Sequence, residues 1–345
     1  MEPVKLAVMG AGLIGKRHIE HIAASTEAKL AAVVDPSPVG QDVAQAHGAP
    51  WFPSFAAMLD KVRPDGVIIA TPNQLHVENG LDAVAIGIPA LVEKPIADDL
   101  AGATRLVEAA EKAGVPLLVG HHRRHNPMMA KAQEIIQSGR LGTVLTVQVT
   151  CWFFKPDDYF DVSWRREKGG GPIFINLIHD INNLQALCGE VASVQALESN
   201  AVRGFAVEDT AGILLRFVNG VIGTVSVSDT VVAPWNWEMT VGDNPAYPHT
   251  TESCYLIGGT HGSLSLPHLD VWHNREKRSW WEPIEPARVP YEAADPLTRQ
   301  IRQFCRVIRG EEPPLVSGRE GLNTLKVIEA VKESARTGQM VRLAP

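Results

Sequence analysis

A glycine-rich loop between an apolar strand and a helix constrains this chain more than any other feature. Val4 to Met9 reads as a buried strand. Gly10-Ala11-Gly12-Leu13-Ile14-Gly15 follows, and a helix runs on to about Ala24. A Gly-x-Gly-x-x-Gly pattern is informative only in a strand–loop–helix context, which it has here. The first glycine permits the tight turn, the second lets the backbone approach a pyrophosphate, and the third lets helix and strand pack closely. Free amides and the helix dipole favour an anion at the same point. The second strand, Leu30 to Val34, ends in Asp35, 20 residues after Gly15. A carboxylate there accepts hydrogen bonds from a ribose 2′-hydroxyl and repels a 2′-phosphate. Pro36-Ser37 supplies no arginine to hold that phosphate. The expected ligand is NAD rather than NADP, held by Gly10, Gly12, Leu13, Ile14, Gly15 and Asp35.

Strand and helix continue to alternate. Ser37 to His47 reads as a helix, and Ser54 is placed to cap a short helix from Phe55 to Lys61. Gly66 to Ala70 reads as a strand, with Thr71-Pro72-Asn73-Gln74-Leu75-His76 at its carboxyl end. Thr71 and Asn73 are candidate cofactor contacts. His76 either faces the nicotinamide or caps the helix Leu75 to Ile86. Ile88-Pro89-Ala90-Leu91 is the next strand, and Val92-Glu93-Lys94-Pro95 ends it. Lys94 therefore stands at the carboxyl edge, where open parallel sheets bind ligands. Pro95 fixes the backbone beyond it, and Glu93 can hold the ammonium; both Glu93 and Lys94 are candidates to line the cofactor. Taken alone, the tripeptide is equally a surface turn. A helix from Leu100 to Ala113 ends at Gly114, and Leu117 to Val119 closes the sheet. Residues 1–122 are thus expected to form a doubly wound parallel α/β domain.

From Gly120 the pattern changes. His121-His122-Arg123-Arg124-His125-Asn126-Pro127 is a polar loop, followed by a helix from Met128 to Ser138. Strand-like runs then dominate: Thr143 to Trp152, Val191 to Ser199, Thr210 to Phe217 and Val221 to Ser228, the last two joined by the hairpin signal Asn219-Gly220. Residues 123–345 are expected to form an α+β domain with a large open-faced, mostly antiparallel sheet. Helices near Pro296 to Arg309 and Gly318 to Arg336 close the chain and can pack back on the first domain. One helix interrupts the β region. It starts at Pro172 after Gly169-Gly170-Gly171 and carries Asn176, His179, Asp180 and Asn183 among Ile, Phe and Leu. Helical spacing puts Asn176, His179 and Asn183 on one face. A buried polar stripe needs partners, either a structural network or a ligand. Arg123, Arg124, Trp152, Trp164, Arg165 and Trp237 are candidate substrate contacts, since aromatic faces suit a ring's C–H side and arginines a carboxylate. Each is also open to ordinary packing or a surface ion pair. Residues 234–249, rich in Trp, Asn and Pro, read as a structured lid loop.

Composition excludes several classes. At 345 residues and 45% hydrophobic content the chain suits two domains with a sizeable core. Its net charge is -7 and no basic stripe appears, against a nucleic-acid partner. The apolar runs are strand-sized, against a membrane span. Met1-Glu2-Pro3-Val4-Lys5 enters a strand directly, so no signal peptide is expected. Cys151, Cys188, Cys254 and Cys305 lack CxxC spacing, which suggests reduced thiols, a cytoplasmic location and no metal site. One face of the second sheet has no helix to cover it, so a homodimer or a homotetramer through that sheet is expected.

Together these residues resemble the family of glucose–fructose oxidoreductase, inositol dehydrogenase and MocA. The matches extend over nearly the whole chain: Thr71-Pro72-Asn73 with His76, Glu93-Lys94-Pro95, Trp164-Arg165 before Gly169-Gly170-Gly171 and His179, Glu208-Asp209-Thr210, and Gly258-Gly259-Thr260-His261-Gly262-Ser263. The resemblance implies a Rossmann domain holding NAD(H) or NADP(H). It also implies a second domain whose open sheet forms the subunit interface and roofs the active site. The reaction it implies is oxidation of a secondary alcohol on a sugar, cyclitol or related ring, or the reverse. Lys94 would contact the reacting hydroxyl and His179 would serve as acid/base. The family pattern has Asp four residues before that histidine. Here Ile175 stands in that place with Asn176 next, and Asp180 replaces a commonly apolar residue. Asn can bind a hydroxyl but carries no proton. The resemblance also admits a redox-neutral NAD-dependent glycosidase or a cofactor-binding sensor without catalysis.

Overall fold

Each apolar run of the first third becomes a strand of one parallel sheet. In the computed structural model, which describes residues 2–343, these are β1 (Val4–Met9), β2 (Ala28–Val34), β3 (Trp51–Phe52), β4 (Gly66–Ile69), β5 (Ala90–Val92) and β6 (Leu117–Val119). Their order is β3-β2-β1-β4-β5-β6, every pair parallel. Between them run α1 (Leu13–Ala23), α2 (Pro38–Ala46), α3 (Phe55–Leu59), α4 (His76–Ala85) and α5 (Leu100–Ala113). Strand order reverses between β1 and β4, so the sheet has its switch point there. β4, β5 and β6 are buried throughout, as strands covered on both faces must be. Ser54 caps α3 by accepting from the amide of Ala57 at 3.2 Å. Gly114, at φ 64°, closes α5 in the left-handed region. α4 begins at His76 because Asn73–Leu75 form a 3₁₀ turn.

The chain divides into two units: residues up to Asn126 with Ala294–Leu325, and Pro127–Ala293 with the residues from Lys326 onward. The helix Pro296–Ile308 lays Ile301, Phe304 and Cys305 in the first core, beside Val8, Ile68 and Leu91. The segment after Ala293 thus returns to the first unit.

The second unit is built on nine strands: β7 (Val144–Trp152), β8 (Val191–Ser199), β9 (Thr210–Phe217), β10 (Ile222–Ser228), β11 (Tyr255–Gly259), β12 (Ser263–Leu266), β13 (Asp270–Asn274), β14 (Ile284–Arg288) and β15 (Val341–Arg342). Their order is β14-β13-β12-β11-β7-β10-β9-β8-β15. Only β7 and β10 pair in parallel, the other pairs being antiparallel. Helices α6 (Pro127–Gln137), α7 (Ile178–Cys188) and α8 (Trp237–Val241) precede α9, the helix Pro296–Ile308 already described, and α10 (Gly318–Thr337). Inward residues of the strands, such as Val147, Val149, Ile213 and Val225, pack with Ile178, Ile181, Leu184, Ile328 and Val331. By the alternation of a strand, the other face carries Leu197, Leu214, Ile222, Leu256 and Trp272, all exposed.

Two expectations need correction. The helix after Pro172 is not regular, since Ile173–Leu177 form a π turn before α7. Asn176 lies in that wide turn, so the 3.6-residue spacing does not relate it to His179 and Asn183. The 234–249 segment, expected to be a structured lid loop, instead carries the short helix α8 and is anchored in the second unit. Asn236 caps α8 through the amide of Met239 at 3.0 Å, and Trp237 is buried in the core against Tyr255. Among the described residues no helix is long and apolar enough to cross a membrane.

Candidate active site

The glycine loop has the geometry that its sequence requires. Gly10 has φ 92°, and a Cβ there would lie 2.5 Å from the carbonyl oxygen of Ala70. A Cβ on Gly15 would lie 2.0 Å from the carbonyl oxygen of Gly10, so only glycine lets α1 start this close. Gly12 differs: nothing lies within 4 Å of its Cβ position. It is the N-cap of α1 and gives no side-chain cap, so the first amides of the helix are left to a ligand. Leu13 is exposed there and Ile14 half-buried. Asp35 ends β2 with its carboxylate turned to the loop. It accepts from the amide of Ala11 at 2.7 Å and from the amide and hydroxyl of Ser37. Burial raises its pKa, but the bonds from Ser37 and Ala11 outweigh burial and hold it below the usual value. Backbone open at Gly12, an uncapped helix and an ionised carboxylate together fit a dinucleotide.

The next strand ends carry the remaining first-unit residues. Thr71 donates its hydroxyl to Oδ1 of Asn79 at 3.0 Å, and Asn73 sits in the 3₁₀ turn. His76 is buried and its two ring nitrogens lie 2.8 Å from the carbonyl of Pro95 and 2.9 Å from that of Thr71. Burial lowers its pKa, and a neutral ring has one N–H, so it donates to one carbonyl at a time. It both starts α4 and ties the end of β4 to the turn after β5. Glu93 is buried. His18 Nε2 meets its Oε1 at 2.7 Å, and the amide of Lys94 donates to its Oε2 at 3.2 Å. Lys94, half-buried, is thus the side chain of this pair not folded into the interior. Its charge, next to burial, keeps His121 neutral well below the ordinary histidine pKa.

In the second unit the start of the polar helix is fixed by a carboxylate. Glu208 Oε1 accepts from the amide of Ile173 at 2.9 Å while its Oε2 meets Lys332 Nζ at 2.6 Å. A Cβ on Gly171 would lie 2.3 Å from Glu208, and one on Gly170 would lie 2.4 Å from the carbonyl oxygen of Trp164. The triple glycine therefore lets both the Trp164-Arg165 turn and Glu208 close on this helix. His179, Asp180 and Asn183 are buried. Tyr255 donates its hydroxyl to Oδ1 of Asp180 and accepts from Nδ2 of Asn183 at 3.3 Å. So Asp180 and Asn183 are joined by a structural bond to β11. Oδ1 of Asn176 is buried and meets no hydrogen-bond partner, as is also true of Oδ1 of Asn183.

The other candidates divide. Arg123 is buried in the 3₁₀ turn His122–His125, and Arg124 is buried with Nη1 3.7 Å from Oε1 of Glu320. Arg165 donates to the carbonyl of Tyr159 at 2.6 Å and lies 4.1 Å from the centre of its ring, while Trp164 is exposed. Trp152 lies on the open face of the sheet, opposite the face that α7 covers. Its indole donates to Ser226 at 2.8 Å and stands edge-on to Trp235. Trp237 belongs to the core.

Comparison with known proteins decides the family. The first unit's residues 4–121 match the family model described as "Oxidoreductase family, NAD-binding Rossmann fold", and residues 129–265 match the GFO/IDH/MocA C-terminal domain. The chain belongs to the Gfo/Idh/MocA oxidoreductases. It is similar to the rhizopine catabolism protein MocA of Rhizobium meliloti, 26% identical over 340 residues that span 96% of this chain and 95% of that one. It is also similar to D-apiose dehydrogenase of Paraburkholderia graminis, 29% identical over 98% of this chain and 89% of that one. Among solved structures, WlbA dehydrogenase from Bordetella pertussis, in complex with NADH and UDP-GlcNAcA, superposes with a TM-score of 0.80 at 27% identity, covering 99% of both chains.

Within this Gfo/Idh/MocA chain, sequence reasoning missed His18 and Gly120. A Cβ on Gly120 would lie 2.7 Å from the Glu93 carboxyl group, so the glycine exists to admit that carboxylate. His18 lies three residues past Gly15 on α1, the only local signal being a histidine on the inward face of the dinucleotide helix. Tyr255, which accounts for the odd Asp180, stands 75 residues away.

Proposed function

We propose that the protein is an NAD-dependent dehydrogenase that oxidises a secondary alcohol on a sugar, cyclitol or ring diol, or runs the reverse reduction. The observation that supports this best lies at one edge of the parallel sheet. The carboxyl ends of β1, β2, β4 and β5 carry the open glycine loop, Asp35, Thr71 with Asn73, and Lys94. Gly10, Gly12, Gly15 and the amides of Leu13 and Ile14 would seat the pyrophosphate, and Asp35 the adenosine ribose.

When bound, NAD would supply the acceptor for the hydride of the carbinol carbon. The hydroxyl proton goes to His179, whose ordinary titration range lies near neutrality. Lys94 stabilises the negative charge that grows on the oxygen as the proton leaves. Asn176, with a buried acceptor that lacks a partner, binds a neighbouring hydroxyl of the substrate. Buried donors and acceptors left unpaired cost about 1–3 kcal/mol, so a hydroxyl there is favoured over a hydrocarbon. Arg123 and Trp164 remain candidates for substrate contact. Asp180, Trp152 and Trp237 are assigned to the fold. The open face of the nine-stranded sheet serves as the subunit interface.

The test is a screen of cyclic polyols, sugars and ring diols with NAD and with NADP, following NADH or NADPH absorbance. Turnover of ring alcohols with NAD supports the reading. No turnover of any hydroxylated ring, by a protein that binds NAD, overturns it.

A further inference from the structure

We propose that His18 is a positioning residue for the reacting centre: by holding the Glu93 carboxylate, it fixes the setting of Lys94. The inference rests on the reading of Lys94 given above.

The geometry is a bracket. His18 sits fully buried on α1, one turn past the glycine loop. Its Nε2 lies 2.7 Å from Oε1 of Glu93, on a strand end 75 residues away. The other carboxylate oxygen accepts from the amide of Lys94 at 3.2 Å. One carboxylate thus ties the helix of the dinucleotide loop to the backbone of Lys94. Glu93 is itself held by its amide bond to the carbonyl of Ile69 at 2.9 Å, and Gly120 leaves room for it.

The site is electrostatically asymmetric. Groups from four elements act on Glu93: His18 on α1, His76 on α4, His122 in the turn after β6, and Lys94 itself. Burial alone would raise the pKa of Glu93. The hydrogen bond from His18 and the neighbouring charges outweigh burial and lower it. Glu93 is therefore a fixed negative charge beside Lys94, and His18 is the largest single contact keeping it so. An ionised Glu93 only accepts, so Nε2 of His18 is the donor in this contact.

His18 is not a proton relay. Its Nδ1 is buried and meets no hydrogen-bond partner. No onward acceptor for a proton stands at that nitrogen, and the ionised Glu93 has none to give. What the contact does is orient and charge the carboxylate.

The test compares His18→Leu, His18→Gln, Glu93→Gln and Lys94→Ala in the full chain. Three readouts are taken: NAD affinity by calorimetry, the rate with an alcohol found by the screen, and titration of Lys94. The last is followed by NMR on protein whose lysines carry ¹³C-dimethyl labels, with Lys94→Arg to assign the signal. In His18→Leu, NAD affinity stays within about threefold, the rate falls roughly 10–100-fold, and Lys94 titrates at lower pH. Glu93→Gln gives the same direction of shift. His18→Gln, which keeps an N–H donor, recovers most of the loss. An unshifted Lys94 signal in both His18→Leu and Glu93→Gln overturns the inference, as does a Gln variant no better than Leu. Should His18→Leu not fold, the Glu93→Gln titration and the His18→Gln rate decide the matter. If Lys94→Ala is inactive while His18→Leu matches the unaltered enzyme, only this inference fails. If Lys94→Ala is fully active, the reading of Lys94 fails, and the titration still decides whether His18 governs that lysine.

Discussion

Asp35→Ala tests the cofactor reading most directly. The carboxylate is ionised and bonded to Ala11 and Ser37 through both of its oxygens. A carboxylate offers about four lone-pair sites, so acceptor capacity remains for a ribose hydroxyl. A hydrogen bond to a charged acceptor is worth about 1.5–3 kcal/mol, or roughly 10–150-fold in affinity. Removing the carboxylate also strips the amides of Ala11 and Ser37 of their acceptor. That second loss loosens the loop for NAD and NADP alike and cancels in their ratio. The ratio of the two dissociation constants, measured by calorimetry, is therefore the quantity to read. The unaltered protein is expected to prefer NAD, and Asp35→Ala to narrow the preference by at least about tenfold, because the same change removes the repulsion of a 2′-phosphate. Equal or tighter NADP binding by the unaltered protein refutes the reasoning, and so does a ratio that Asp35→Ala leaves in place.

The chemical pair is tested by single replacements. His179→Ala should slow turnover by about 10²–10⁴-fold with NAD affinity nearly unchanged, and Lys94→Ala should cost at least as much; stopped-flow NADH formation reads both. The open sheet face predicts a dimer or a dimer of dimers at micromolar concentration, and Leu214→Glu with Leu256→Glu should shift it towards monomer in sizing with light scattering. A monomeric unaltered protein would contradict that assignment. His125 is buried and its pKa is lowered from 6.5 to about 3, chiefly by burial and then by His122 and Arg124. An unfolded chain would take up a proton there between those values, so stability is lost as pH falls from 6.5 towards 3. The loss attributable to this group is about 1.4 kcal/mol per pH unit. Urea midpoints of His125→Leu should fall less steeply over that window, and parallel curves would show that His125 is not the group responsible.

What could be read from the sequence was local. The glycine loop, Asp35, the Ser54 cap and the Gly114 stop each lie within a few residues of the element that they define, and all stand where the sequence put them. The side of Trp152 was readable too. Val147, Val149 and Cys151 are apolar and alternate, so the next position points away from them. That period sets Trp152 on the face opposite α7, beside Ser226 and Trp235. The π turn at Ile173–Leu177 was not readable. The apolar run around it fits helical spacing equally well, and its first amide is claimed by Glu208, 35 residues onward. The setting of Asp180 was not readable for the same reason, since its partner Tyr255 lies on another strand. A single sequence carries no signal of such long-range pairs.

That difference bears on where specificity resides. Asp180 and Asn183 each bond to Tyr255 and hold the helix against β11, with Oδ1 of Asn183 left without a partner. Asn176 lies in the irregular turn and also keeps a buried acceptor without a partner. A π turn moves a side chain off the regular helical grid, and such turns concentrate at functional sites. Where the family pattern has an acid four residues before the histidine, this chain has Ile175 and, one residue on, Asn176. On the mechanism proposed above, an amide there cannot share the proton transfer assigned to His179, but it can tell a hydroxyl from a hydrogen. On that proposal the departure leaves the reaction class untouched and concentrates the choice of substrate on the pattern of hydroxyls beside the carbon that is oxidised.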